Sequence, residues 1–94
     1  MTTIDVIADE TGRRLTVTIE DEDGTSSRHV VGVSDADWDR FGGGYGSRFD
    51  LMLATFRFLL EREPKESILG SFELRDIARY FPEYGERFTE RGSA

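Results

Sequence analysis

The chain has 94 residues, of which 37% are hydrophobic, and its 19 acidic and 12 basic side chains give a formal net charge of −7. It contains no cysteine, which excludes disulfides, thiolate metal sites and cysteine nucleophiles, and its single histidine excludes a multi-histidine metal site within one chain. The length predicts one small domain, 1–94, whose last residues, 90–94, we expect to fray.

The first third of the chain has the alternation of polar and apolar residues that is typical of β-strands. The alternating runs are residues 4–8, 15–19 and 28–33. Turn signals at 9–12 and at Asp23-Gly24 separate them, and glycine tolerates the positive φ that tight turns require. The pattern predicts a three-stranded antiparallel β-meander over about residues 3–33, with one apolar face that needs a cover.

Helix signals follow the strands and predict that cover. Ser34 and Ser47 each stand three residues before an aspartate, which is the spacing of a helix N-cap. They predict a short helix that presents Phe41 and a long helix that ends near Glu63. The long helix carries most of its apolar residues on one face, which we expect to pack inward: Phe49, Met52, Leu53, Phe56, Leu59 and Leu60.

The remaining elements are predicted to be short. We expect a helix of about two turns over 65–69, ended by Gly70 at its C-cap. A second short helix should stop at Pro82, and a last turn should hold Tyr84 and Phe88. The predicted fold class is therefore α+β, a meander followed by three or four helices that pack on one face of the sheet.

Three features invite a chemical interpretation, and a structural one fits each of them better. His29 shares the parity of the apolar face, and no nucleophile signature accompanies it, so we expect a hydrogen-bonded sheet histidine. The acidic segment 20–24 lacks ligands at the first and last places of a calcium loop. The glycine cluster 42–46 lacks the ending of a phosphate loop. We therefore predict no catalytic residue, no metal site, no cofactor and no enzymatic activity.

The aromatic residues are the feature of the composition that says most about function, because there are more of them than the predicted sheet can cover. All eleven lie between Trp38 and Phe88, which is more than three short strands can cover. Core packing is the simpler interpretation of each one, but Phe56 and Phe58 are about 200° apart around one helix, so they cannot face the same surface. The sequence predicts a non-catalytic protein–protein interaction or regulatory module that contacts another protein or a second copy of itself. Its candidate interface residues are Phe58, Tyr80, Tyr84, Phe88 and Tyr45.

The segment 66–81 offers an alternative, a nucleic-acid-associated regulator of the antitoxin kind. Its two predicted helices have the outline of a helix–turn–helix, and Arg75 and Arg79 stand four residues apart on the second one. Glu73 and Asp76 interrupt this basic character, whereas nucleic-acid binding depends on neutralising phosphates. Nucleic acid is therefore the less favoured partner.

Composition and one resemblance bear on where the protein works. No apolar run approaches the ~20 residues of a membrane span, and the N-terminus lacks the pattern of a signal peptide, so we expect a cytoplasmic protein without membrane contact. Eleven of the twelve basic residues are arginine, which indicates a GC-rich bacterial genome. Residues 56–84, FRFLLEREPKESILGSFELRDIARYFPEY, resemble the C-terminal part of small uncharacterised bacterial proteins. The resemblance implies a compact helical unit, and it carries over no known activity or catalytic residue.

Overall fold

The computed structural model describes residues 2–93, and in the last helix it describes the side chains through Glu86 and that of Phe88. These residues form a four-stranded mixed sheet and four α-helices, so the fold class is α+β, as predicted. The strands are β1 (Thr3–Ala8), β2 (Arg14–Glu20), β3 (Ser26–Gly32) and β4 (Ser71–Glu73). The helices are α1 (Asp35–Phe41), α2 (Arg48–Arg62), α3 (Leu74–Tyr80) and α4 (Pro82–Ser93), with a 3₁₀ turn at Lys65–Ser67.

The predicted meander is confirmed. β1 pairs with β2 and β2 with β3, both antiparallel. Gly12 and Gly24 adopt φ values of 73° and 84° in the two connecting turns. Residues other than glycine rarely adopt such positive φ values. Each turn is also held by an aspartate, because Asp9 accepts hydrogen bonds from Thr11 and Asp23 accepts them from Thr25.

A fourth strand replaces part of the predicted helical region. β4 pairs parallel with β3, with Phe72 opposite Val31, and the Val30 amide donates to the Gly70 carbonyl at 2.8 Å. The helix expected over 65–69 was therefore wrong, because only the 3₁₀ turn forms there. Gly70 does not cap a helix but leads the chain into an extended segment that completes the sheet.

The helices cover the face of the sheet on which Leu15, Val17 and Ile19 are at most 1% exposed. Both predicted N-caps form, because the Ser34 hydroxyl accepts from the third amide of α1 and the Ser47 hydroxyl accepts from that of α2. These caps satisfy backbone donors that would otherwise lack partners at the helix starts. Both helices thus begin where the sequence predicts; α2 packs on β1, and α1 packs on α4.

The prediction that Phe49 belongs to the buried apolar face of α2 was wrong. Its side chain is 47% exposed, because it lies in the first turn of α2. Leu51 and Phe58, which the sequence predicts to widen this face, are both buried, so the buried surface of α2 is broader than one helical stripe.

The last helix is longer than the single turn predicted around Tyr84 and Phe88, and it continues to Ser93. Fraying over 90–94 stays a prediction, because Ala94 and the side chains of 90–93 lie outside the described residues. Within the described part of the chain, no helix combines the length and the apolar character that crossing a membrane requires.

Candidate functional site

Three of the five predicted interface residues belong to the core. Phe58, Tyr84 and Phe88 are at most 1% exposed, so their assignment to an exposed interface is corrected. The cause is the length of α4, since residues four apart on it share one face, and this face packs on the helices before it. The two rings of α4 stack on each other, with centroids 4.1 Å apart.

The aromatic cluster is built around Phe58. Its ring meets those of Phe81, Tyr84 and Phe88 edge to face at centroid distances of 5.2–6.1 Å. Arg62 covers the same ring, with its guanidinium carbon 3.6 Å from the centroid, while its Nε donates to Glu83 at 3.0 Å. Phe58 thus packs against another helix of the same chain.

One polar bond lies inside this cluster. The Tyr84 hydroxyl and the Thr55 hydroxyl are 2.9 Å apart, and both residues are fully buried. Burial raises the pKa of Tyr84, although the bond to Thr55 works in the opposite direction. Tyr45, half-buried, stacks on Phe88 at 5.8 Å and so belongs mainly to this cluster as well.

Tyr80 is the predicted interface residue that lies on the surface. Its side chain is 68% exposed, and Leu69, which sequence reasoning missed, is 52% exposed beside the same groove. We call this feature the Leu69–Tyr80 groove. Its lining comes from the end of α2, the segment before β4, β4 itself and α3: Leu59, Glu63, Ile68, Leu69, Phe72, Asp76, Ile77 and Tyr80. Leu69 was missed because the sequence placed it inside a short helix.

The groove has an apolar floor and an acidic rim. Leu59, Ile68 and Ile77 are at most 7% exposed and form the floor. The two charged residues in the lining are carboxylates, Glu63 and Asp76. The surface therefore combines accessible apolar side chains with negative charge, a combination that suits contact with another molecule.

A second surface groove lies on the other side of the fold, between the start of α2 and the edge strand β1. Trp38 and the exposed ring of Phe49 line it together with Arg48. Arg48 donates from Nη2 to Asp35 at 3.0 Å and its guanidinium carbon lies 5.3 Å from the centre of the Trp38 ring, but its buried Nε has no hydrogen-bond partner among the described residues. This groove therefore offers one unpartnered donor, whereas the Leu69–Tyr80 groove has a floor of buried apolar side chains.

The helical pair predicted over 66–81 does not form, and this corrects the structural basis of the nucleic-acid alternative. Its first half is the 3₁₀ turn and β4. Arg75 and Arg79 are exposed on α3, and Arg79 lies 3.7 Å from Asp76. The glutamate before α3 and Asp76 form a reciprocal capping box, so carboxylates accompany these arginines.

His29 is a structural residue, as predicted. It is 2% exposed, its Nδ1 lies 2.7 Å from the Leu69 carbonyl, and its Nε2 lies 2.8 Å from the Ser27 hydroxyl. The carbonyl can only accept, so Nδ1 carries the proton and Nε2 accepts from the hydroxyl. His29 thereby ties β3 to the segment that positions Leu69.

The acidic hairpin between β2 and β3 is bound to the chain's own lysine. The Lys65 ammonium is 2.5 Å from Asp21 and 2.5 Å from Glu66, and it donates to Thr25 at 2.7 Å. The bond to Lys65 lowers the pKa of Asp21 and of Glu66. Among the described residues, no group of three or more histidine, cysteine or acidic side chains could hold a metal ion.

Comparisons with known proteins identify no relative of the chain. No family model, no curated protein and no solved structure matches the chain.

Proposed function

We propose that this chain is a non-catalytic interaction module that binds another protein through the Leu69–Tyr80 groove. One observation carries the proposal: two large apolar side chains, 52% and 68% exposed, border a groove whose floor is continuous with the hydrophobic core. Exposed apolar groups of this size beside a concave surface are typical of contact sites.

The size of the groove favours a protein segment over a metabolite. Its cavity volume is about 40 Å³, far below the range of about 300–1,000 Å³ for small-molecule sites. It continues past Leu69 and Tyr80 into a shallow surface lined by Ser67 and Phe81. A small apolar pocket that opens onto a longer surface suits one or two anchoring side chains of a partner.

A display experiment tests this function. A random peptide library is panned on the immobilised protein, and the selected peptides are then measured against Leu69→Glu and Tyr80→Glu by fluorescence anisotropy. We expect either variant to weaken binding at least tenfold, because each places a charge where an apolar anchor would lie.

Ile7→Glu is the matched control. Ile7 is 69% exposed on β1, at the opposite edge of the sheet from β4, so this variant places the same charge on an equally exposed apolar residue outside the groove. We expect it to bind the peptides as the wild type does. Failure to enrich any peptide, or equal binding by all three variants, would overturn the proposed function.

A further inference from the structure

The charge around the Leu69–Tyr80 groove has one sign. Its lining contains Glu63 and Asp76 and no basic residue. Asp76 is already committed, since it accepts from the Glu73 amide at 3.1 Å and lies near Arg79. Glu63 makes no ion pair with any side chain that the structure describes, and it is half-buried at the end of α2.

The backbone at the end of α2 adds to the negative electrostatic potential of the groove. Glu63 is the C-cap of α2, a helix of 15 residues, and the carbonyl end of a helix carries partial negative charge. The nearby start of α3 is the positive end of its helix, but the capping box of Glu73 and Asp76 already supplies carboxylates there. Arg62 donates to the Phe58 carbonyl at 3.1 Å in the last turn of α2 and so partly offsets this charge. A cation placed beside Glu63 would therefore meet chiefly its carboxylate.

We infer that the segment bound in the groove presents a bulky apolar anchor with an arginine or lysine next to it. This inference rests on the proposed function and adds the chemistry of the partner. The anchor would lie on the Leu59, Ile68 and Ile77 floor, between Leu69 and Tyr80, and the cation would pair with Glu63. A partly desolvated pair of this kind contributes mainly to specificity, because it penalises partners with the wrong charge.

A second copy of the chain fits this surface less well. Its own groove would bring further carboxylates against Glu63 and Asp76, and the whole chain carries a net charge of −7. A stable interface also buries about 800 Å² on each partner, which is far more than one small groove provides. The occupant is therefore a short basic and apolar segment of a different protein.

Three synthetic peptides test the inference. They share a central phenylalanine and differ only in its two neighbours, which are arginine, glutamine or glutamate. Binding is measured by fluorescence anisotropy at about 50 mM and about 300 mM salt. We expect the arginine peptide to bind about two- to fivefold more tightly than the glutamine peptide, and the glutamate peptide to bind most weakly. The advantage of arginine should shrink at the higher salt concentration.

Glu63→Gln and Glu63→Lys assign the effect to one carboxylate. The first variant should remove most of the advantage of arginine, and the second should reverse the order in favour of the glutamate peptide. Ile7→Glu, with the added charge at the far edge of the sheet, should leave the order unchanged.

The binding and light-scattering results distinguish a failure of this inference from a failure of the proposed function. If the peptides bind in a way that Leu69→Glu abolishes, but with no dependence on the flanking charge, the inference is wrong and the proposed function stands. If light scattering shows a dimer that Leu69→Glu dissociates, the occupant is a second copy, which also overturns the inference. If neither these peptides nor a display library bind and the chain stays monomeric, both fall.

Discussion

Lys65 shows how a single side chain can join distant parts of a small fold. It is the chain's one lysine, and its side chain is 4% exposed. It links the hairpin between β2 and β3 to the 3₁₀ turn through Asp21, Thr25 and Glu66. Its carboxylate partners are 35% and 64% exposed, so water screens the ion pairs on one side. Because the partners of Lys65 are carboxylates, the contribution of these ion pairs to the free energy of unfolding should depend on pH.

We predict that Lys65→Met lowers the free energy of unfolding most strongly near neutral pH. Asp21 and Glu66 have lowered pKa values in the fold, so their contribution is complete above the ordinary carboxyl pKa of about 4 and is lost as the pH falls through the lowered values. The pKa of Lys65 is raised, so its contribution persists up to about pH 10.4 and is lost above that.

Urea unfolding followed by the fluorescence of Trp38 measures this difference across the pH range, because Trp38 is the one tryptophan. The free energies of unfolding of the wild type and the variant should begin to converge at about pH 4 and continue to do so as the pH falls through the lowered pKa values of Asp21 and Glu66. A difference that stays constant down to about pH 2 would show that Lys65 acts by packing its methylene groups and not by its charge.

The buried hydrogen bond between the Tyr84 and Thr55 hydroxyls should stabilise the fold. Tyr84→Phe should lower the free energy of unfolding by about 1–2 kcal/mol, because it leaves the Thr55 hydroxyl buried without its partner. The double variant Tyr84→Phe/Thr55→Val removes both polar groups and should recover most of that loss. Chemical denaturation of Tyr84→Phe, Thr55→Val and the double variant completes the cycle, and a double variant that loses as much as Tyr84→Phe alone would contradict the expectation.

At the scale of elements, the end of α1 depends on one close approach. Gly42 is buried at the C-cap of α1, and a Cβ there would overlap the indole ring of Trp38. Gly42→Ala should therefore lower the free energy of unfolding by about 1–3 kcal/mol and change the fluorescence of the native protein. Gly70→Ala is the control, since a Cβ at Gly70 meets no atom within 4 Å. Similar losses in both variants would argue that glycine matters at Gly42 for a reason other than this contact.

Elements that depend on local chemistry were predictable from the sequence. Alternation at period two placed the meander, and serine hydroxyls placed the starts of α1 and α2, because these signals act over a few neighbouring residues. β4 was not predictable, since three residues are too few to show a period and their pairing with β3 joins segments about 40 residues apart.

The candidate site was predicted only in part. Tyr80 was named, but Leu69 was not, because its exposure follows from β4 and from the bond between His29 and the Leu69 carbonyl. Phe58 could not be assigned to a side, since α2 buries two faces, one toward the sheet and one toward α4. Which face of a helix meets a later element depends on long-range packing that periodicity does not specify.

At the scale of the whole molecule, apolar residues divide into those that hold the fold and those available for contact. Phe58→Ala should lower the free energy of unfolding by about 3–5 kcal/mol, because Phe58 is the centre of the aromatic cluster. Leu69→Glu and Tyr80→Glu should change it by about 0.5 kcal/mol or less, because both side chains are more than half exposed. Thermal and urea unfolding compare the three variants, and a large loss in either groove variant would identify that residue as part of the core.

Contact at the Leu69–Tyr80 groove can be located residue by residue with an NMR titration. The ¹⁵N-labelled protein is titrated with the arginine-flanked peptide, and amide shifts are mapped along the chain. We expect the largest shifts around Ile68, Leu69 and Tyr80, and none at Ile7 on the far edge of the sheet. Shifts concentrated at Ile7, or in the groove between Trp38 and Phe49, would contradict it.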